Sequence, residues 1–349
     1  MPTFSADELT DFSTAIFSAA GARDEDSQIV SKALVDANLV GHDSHGVMRV
    51  PFYVEWMEKG WVNTRATFRV VSEADSFAVI DGDWGFGQVM GRKATDLGIQ
   101  KAREAGTAII TGQQCCHMGR FGDYTAMAAR SGMAAVLFAN THGAGQLVAP
   151  WGGIERRLSA NPISIGIPRK GDSPIVVDVS TCTIAEGKVR NMRTAGEPVP
   201  EDCIIDAEGN PTTDANDFYG PPVGALLPLG RHKGFALGLA SDILAGALSG
   251  AGCSRADTKR VGNSFMLTLI DVQKVRGSDL FDDDVAGVIE YVKSSRLAPG
   301  VSEILIPGEP EERIRAEREA DGVPIHPGVW DNLCRTATKY GVKPPAQPA

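Results

Sequence analysis

Apolar residues recur every three or four positions at the start of the chain. Leu9, Phe12, Ile16 and Phe17 fall on one helical face, behind a Ser5/Glu8 pair at capping-box spacing. The pattern predicts a second helix from about 23 to 40, closing at Gly41, and a helical continuation from 41 to a stop at Gly60. From residue 68 the period shortens. FRVVSEADSFAVIDGD predicts two strands, GQVMGRKATDLGIQKAREAG a helix, TAIITGQ a strand, TAMAARSGM a helix and AAVLFANT a strand. ISIGIPRKGDSPIVVDVST reads as a hairpin, 187–228 as a loop-rich stretch with a DAEGNPTTD turn, 235–250 as an apolar helix, and SFMLTLID as a last strand before a charged helical tail from about 280. Alternation of this kind predicts an α/β class with mixed sheets and a helical N-terminal unit. The approximate division is an α/β cofactor-binding unit over 68–249, with 1–67 and 250–349 forming a helical, dimerisation and substrate-side region.

Composition narrows the function classes. At 349 residues with 22% charged side chains the chain has ordinary globular character, and its length exceeds what one hydrophobic core usually serves. A net charge of −10 argues against nucleic acid, whose phosphates call for a basic stripe. The apolar tract 235–253 carries Asp242 and several glycines, so a buried, tightly packed helix is expected rather than a membrane span. The six cysteines (115, 116, 182, 203, 253 and 334) form no CxxC pair, and the opening MPTFSADELTDF is acidic without an apolar leader. Reduced thiols in a cytoplasmic protein are the expectation.

Gly85 and Gly87 follow a strand and open a helix, where a dinucleotide fingerprint would sit. Gly91 comes one residue too late for GxGxxG, and no acid ends the next strand, so the glycines read as a helix start. A nicotinamide cofactor, if bound, is held without that fingerprint.

Chemistry concentrates in short stretches. In GHDSHGVMRV (41–50) a helix would set His42, His45 and Arg49 on one face. The stretch could seed a metal site, form a helix cap with one satisfied histidine, or make a substrate site in which Arg49 forks onto a carboxylate beside Ser44 and His45. With six histidines in the chain and no HExxH, metal is the least supported of the three. His117 follows a strand and precedes a glycine-flanked turn, where it could shuttle a proton or serve structure alone. Asp178 and Ser180 end another strand, placed to cap a helix or grip a ribose diol. Arg231, His232 and Lys233 crowd the N-terminus of the apolar helix, where cations are unfavourable unless an anion joins them.

Taken in order, GHDSHGVMRVPFY (41–53), HMGRFGDY (117–124), ANPISIGIP (160–168), DVSTCTIAEGKV (178–189), LPLGRHKGFALGLASDILAGALSGA (227–251) and ILIPGE (304–309) resemble the type-2 malate/L-lactate dehydrogenase family over nearly the whole chain. That family includes hydroxycarboxylate, ureidoglycolate and sulfolactate dehydrogenases and a cyclic-imine reductase branch; VPEDCIIDAEGNPTTD is most similar to the hydroxycarboxylate branch. The resemblance implies a non-Rossmann cofactor fold, a homodimer, and NAD or NADP. It implies His117 as catalytic histidine, Ser44, His45 and Arg49 on the substrate side, and Thr141, Asp178, Val179, Ser180, Lys233 and Gly308 around the cofactor. Two positions stand out: Ser159-Ala160 replace the Gly-Thr that often precedes Asn161-Pro162, and His142 occupies a variable position.

The implied reaction is reversible hydride transfer between a small 2-hydroxy acid (lactate, malate, an aryl-lactate) and nicotinamide. Alternatives are NADPH-dependent reduction of cyclic imino acids or N-methyl amino acid imines and, from another class, metal-dependent hydrolysis on His42 and His45. No nucleic-acid or membrane partner is expected.

Overall fold

The computed structural model describes residues 1–258 and 260–346. A short strand, β1 (Thr3–Phe4), leads into α1 (Ala6–Ala19), whose Ser5 and Glu8 exchange hydrogen bonds in a capping box. Its apolar stripe packs on α2 (Asp24–Leu39). The expected single helix from 41 to 60 is broken. Two 3₁₀ turns, Asp43–His45 and Val47–Arg49, precede α3 (Val50–Glu58). The cause is Asn38, buried at the end of α2. Its Oδ1 accepts from Val47 N–H at 2.8 Å and its Nδ2 donates to Asp43 at 2.6 Å. A Cβ on Gly46 would fall 2.2 Å from that Oδ1, so only glycine leaves room for the amide. His42 and His45 therefore do not share a helical face.

The α/β part continues with β2 (Arg69–Ala74), β3 (Phe77–Asp81), α4 (Gly87–Ala105), β4 (Thr107–Cys115), α5 (Gly122–Arg130), β5 (Met133–Asn140), β6 (Ile163–Ile167) and β7 (Ile175–Val179). The stretch 187–228, expected as loop, holds most of α6 (Glu186–Ala195) and then β8 (Ile204–Ile205), β9 (Pro211–Thr212), α7 (Ala215–Tyr219) and β10 (Ala225–Leu226). Only Val189 of α6 is buried, so its sequence carries no apolar period to reveal it. Next come α8 (His232–Asp242), a π-helical turn (Ile243–Ala247) and β11 (Asn263–Asp271). The chain closes with α9 (Val272–Val275), α10 (Ser278–Lys293), α11 (Glu309–Asp321), β12 (Val323–Pro324) and α12 (Pro327–Lys339). Trp330 of α12 stacks on Phe4 at 4.2 Å, and β12 pairs with β1, so this end packs on the N-terminal helices.

A seven-stranded sheet runs β2-β3-β4-β11-β5-β6-β7, with β3 and β4 parallel and the other neighbours antiparallel. β11 lies in its middle, so it belongs with the 68–249 unit; a division at residue 250 cuts the sheet. Tracing the registers gathers the carboxyl ends of β3, β4, β5 and β7 at one edge, because Asn263 pairs with Cys115 and Ser264 with Asn140, while Ile163 pairs with Val179. That edge is where ligands bind open α/β sheets.

The apolar helix is not buried as expected. Its small and polar side face inward (Gly238, Ser241, Asp242, Ala245), whereas Leu237, Leu239, Ile243 and Leu248 are 41–55% exposed. Among the described residues no helix is long and apolar enough to cross a membrane.

The glycines before α4 act by close approach. A Cβ on Gly87 would stand 2.2 Å from Cys116 O and 2.5 Å from His117 O. Gly87→Ala should therefore lower stability by about 1–3 kcal/mol, the usual cost of overpacking, read as an earlier urea midpoint. An unchanged midpoint would show that the α4–β4 junction has slack.

Candidate active site

His117 leaves the sheet just beyond β4. The segment before it is pinned by Trp84 N–H donating to Gln114 O (2.7 Å) and Cys116 N–H donating to Gly85 O (3.0 Å). Beyond it, Met118 N–H donates to Asn263 Oδ1 at 2.9 Å. The imidazole turns toward the helical unit. Its Nδ1 lies 2.6 Å from Tyr53 Oη of α3 and 3.3 Å from Gly119 N. The His45 ring stacks alongside, centroids 5.5 Å apart and planes within 21°. Ser44 Oγ sits 2.9 Å from His45 Nδ1, and Arg49 Nε donates to Ser44 O at 2.7 Å. Among the described residues neither Nη of Arg49 has a hydrogen-bond partner, so a fork stays free for a planar anion.

The structure thus brings Ser44, His45, Arg49 and His117 together. His42 turns away, its Nε2 3.6 Å from Glu311 of α11. The two histidines of the 41–50 stretch face different partners. Among the described residues no group of three or more His, Cys, Asp or Glu could hold a metal ion.

Electrostatics keep both central imidazoles neutral. Burial, then the neighbouring Arg49 charge, pull His45 down to about 3; the same causes, with His45 added, push His117 well below its usual range. Burial drives the Tyr53 phenol up to about 12, so it stays protonated. The helix α6, invisible to the hydrophobic pattern, walls the cluster: a Cβ on Gly187 would be 3.2 Å from Ser44 Cβ. Glu186 on that helix accepts from Arg190 at 2.8 Å and from Tyr219 Oη at 2.7 Å.

The residues expected around a cofactor are spread along the sheet edge. Thr141 follows β5 and donates through Oγ1 to Ala144 O. Asp178, Val179 and Ser180 end β7. Asp178 Oδ2 accepts from Gly122 N–H at 2.7 Å, so it caps α5 from a distance rather than a helix of its own segment. Ser180 donates to Cys182 O at 3.2 Å and caps no helix. Val179 is 44% exposed. Lys233 is the second residue of α8, and the turn before that helix is tied to the segment after β7 because Leu229 N–H donates to Thr181 O at 2.9 Å. Arg231, His232 and Lys233 are all exposed, and none has an ion-pair partner among the described residues. Gly308 lies at the other end of β7, with φ +100° and no room for a side chain: a Cβ would meet Pro174 O at 3.1 Å. Strand spacing puts Thr141 roughly 10 Å, and Ser180 roughly 20 Å, from the β4 end that carries His117; only an extended ligand meets them all.

A cavity of about 260 Å³ opens between α2, α4, α5, β7 and α11, bounded by Asp36, Gln88, Arg120, Tyr124, Val176 and Gly308. It borders the imidazole cluster through Gln88, whose side-chain amide lies 2.9 Å from Tyr53 Oη. Arg120 is buried there with Asp123 at 2.7 Å, and its Nε has no hydrogen-bond partner among the described residues. Burial raises Asp123 to about 6 against the pull of Arg120. Tyr53, Gln88, Arg120 and Glu186 were not singled out in the sequence. Tyr53 sits four residues after Arg49, a legible helical neighbour; the others meet the site only through the fold.

An imidazole pair and a guanidinium fork thus lie together at the edge of an α/β sheet where the strand ends gather. A family model described as malate/L-lactate dehydrogenase matches residues 4–334. An L-lactate dehydrogenase of Cupriavidus necator is 38% identical over 320 residues, covering 90% of this chain and 91% of that protein. A hydroxycarboxylate dehydrogenase B of Escherichia coli O157:H7 is 35% identical, covering 97% and 94%. The solved malate dehydrogenase of Pyrococcus horikoshii superposes with a TM-score of 0.88 at 35% identity, covering 98% and 97%. The chain belongs to the malate/L-lactate dehydrogenase family.

The depressed His45 has a stability consequence. Between its ordinary value near 6.5 and its folded value of about 3, only the unfolded chain takes up the proton. Its contribution to stability is complete above pH 6.5 and drains away as pH falls toward 3. The raised Asp123 works oppositely below pH 6, so the difference between variants is the clean measurement. The His45→Gln chain should lose less stability than the native one between pH 7.5 and 5.0 in urea titrations. Equal losses would show that His45 is not buried neutral.

Proposed function

We propose that this chain is a nicotinamide-dependent dehydrogenase interconverting small 2-hydroxy acids and 2-oxo acids. The observation that carries the reading is the Arg49 fork, unpartnered among the described residues, beside the neutral, half-buried His117 imidazole. Arg49 clamps the substrate carboxylate. His117 accepts the C2 hydroxyl proton as the C2 hydride departs, and returns it in the reverse direction. Ser44 and His45 orient the substrate oxygen. The Arg49 charge disfavours a second positive charge on His117. A carboxylate seated on Arg49 offsets that charge and raises the proton affinity of His117 when substrate is present.

A nicotinamide dinucleotide, NAD or NADP, supplies the hydride acceptor when bound. The residues available suit it in part: Lys233 is an exposed cation with no ion-pair partner among the described residues and follows the segment tied to Thr181, whereas Gly308, at the other end of β7, is closed by Pro174 O. Lys233 would attract the pyrophosphate, Asp178 and Ser180 would meet sugar hydroxyls, and Thr141 and Val179 would border the cofactor. A second copy of the chain covering Leu237, Leu239, Ile243 and Leu248 would give a homodimer. Zinc hydrolysis on His42 and His45 is disfavoured by their divergence.

A panel of lactate, malate, aryl-lactate and cyclic imino acids, assayed by nicotinamide absorbance with both cofactors, tests the reading; turnover confined to imines would overturn it. His117→Ala should lower kcat by about 10²–10⁴ while cofactor binding persists. Arg49→Ala should weaken kcat/KM by roughly 10- to 150-fold, the worth of about 1.5–3 kcal/mol in a charge-assisted hydrogen bond. Activity retained in His117→Ala would remove it from the chemistry.

A further inference from the structure

A histidine that exchanges a substrate proton through one nitrogen needs its other nitrogen committed. For His117 the committing groups lie behind it. Its Nδ1 is 2.6 Å from Tyr53 Oη, which is 2.9 Å from the Gln88 side-chain amide. Tyr53 and Gln88 are 2% and 3% exposed, so bulk water does not compete. The remaining atom of that amide, Gln88 Oε1, is buried without a hydrogen-bond partner among the described residues.

The amide's two orientations have opposite consequences, and the proton that His117 has to accept chooses between them. With Gln88 Nε2 donating to Tyr53, the phenolic proton can go only to His117 Nδ1. The ring proton then sits on Nε2, which cannot accept another from a hydroxy acid. With Oε1 facing Tyr53, the order reverses. Tyr53 O–H donates to Gln88 Oε1, His117 Nδ1–H donates to Tyr53 Oη, and Nε2 is bare. The second orientation pairs Oε1 with the Tyr53 phenol at the cost of moving the amide N–H₂ to the buried position, and it alone leaves Nε2 bare for the hydroxyl proton. It also forfeits the Gly119 N–H contact to Nδ1, which is long at 3.3 Å.

We propose that Gln88 and Tyr53 are positioning residues that hold His117 as the Nδ1–H tautomer, leaving Nε2 as the nitrogen that exchanges the substrate proton. The proposal rests on His117 being the acid–base group. Both working states satisfy it: neutral His117 with a bare Nε2 takes the hydroxyl proton, and the resulting imidazolium, with Nδ1–H still on Tyr53, returns it to the 2-oxo acid's oxygen. A carboxylate in place of Gln88 would orient the ring too, but its charge would raise the ring's proton affinity. The neutral relay fixes direction without adding charge.

Nitrogen-15 histidine NMR of the full chain at pH 7.5, without cofactor or substrate, reads the tautomer directly; the His117 signal is the one lost in His117→Gln. The Nδ1–H form is expected in the native chain and the Nε2–H form in Tyr53→Phe, where only Gly119 N–H still points at Nδ1. Tyr53→Phe should lower kcat by about tenfold or more with KM within about twofold. Gln88→Glu should keep the Nδ1–H form and move the apparent pKa of the kcat profile upward. An Nε2–H ring in the native chain, or native tautomer and kcat in Tyr53→Phe, overturns the proposal. Should Tyr53→Phe fail to fold, the native tautomer and the Gln88→Glu profile decide. A chain inactive on every substrate defeats the dehydrogenase reading alone, since the NMR result needs no turnover.

Discussion

The carboxyl end of β4 runs so close to the first turn of α4 that a single methyl group at Gly87 would collide with two carbonyl oxygens. That contact joins the sheet to the helical N-terminal unit. The imidazole of His117 emerges on the far side of the junction, directly onto Tyr53 of α3. Gln88, the residue after the crucial glycine, meets Tyr53 from α4. The site is therefore not a surface of either part. Its second nitrogen is held by helices, its backbone by the sheet, and its neighbour His45 by the turn that Asn38 shapes.

Burial then sets the chemistry. Desolvation and the Arg49 guanidinium hold both imidazoles neutral, while the Tyr53 phenol keeps its proton. In the proposed reaction, a carboxylate on the Arg49 fork is what lets the neutral base become positively charged. Acidity of the whole chain is no obstacle, since the attraction is local. The same economy of charge explains why a phenol and an amide, rather than a carboxylate, stand behind His117.

The edge of the sheet supplies the remaining constraint. β11 crosses antiparallel between β4 and β5, so the ends of β4, β5 and β7 face one direction without being sequential neighbours. Residues far apart in the chain, Thr141 and Ser180, follow strands that end at one edge of the sheet as a result. Glycines at its start serve helix packing, in agreement with the failed dinucleotide fingerprint.

Periodicity determined the capped first helix and the strands from 69 to 179 with the helices between them, and residue type marked the stretches at 41–50 and 117–124, because these are properties of neighbours in sequence. It misjudged what depends on distant partners. The break at Gly46 needs Asn38; the nearly all-polar helix α6 is held through Val189 against residues far along the chain. The apolar helix 232–242 packs its glycines inward and leaves its leucines out. Tertiary structure alone parted His42 from His45, set His45 against His117, and placed Tyr53 and Gln88 behind the ring. Hydrogen-bond direction and burial are decided by which surfaces meet, and that is written in no single segment.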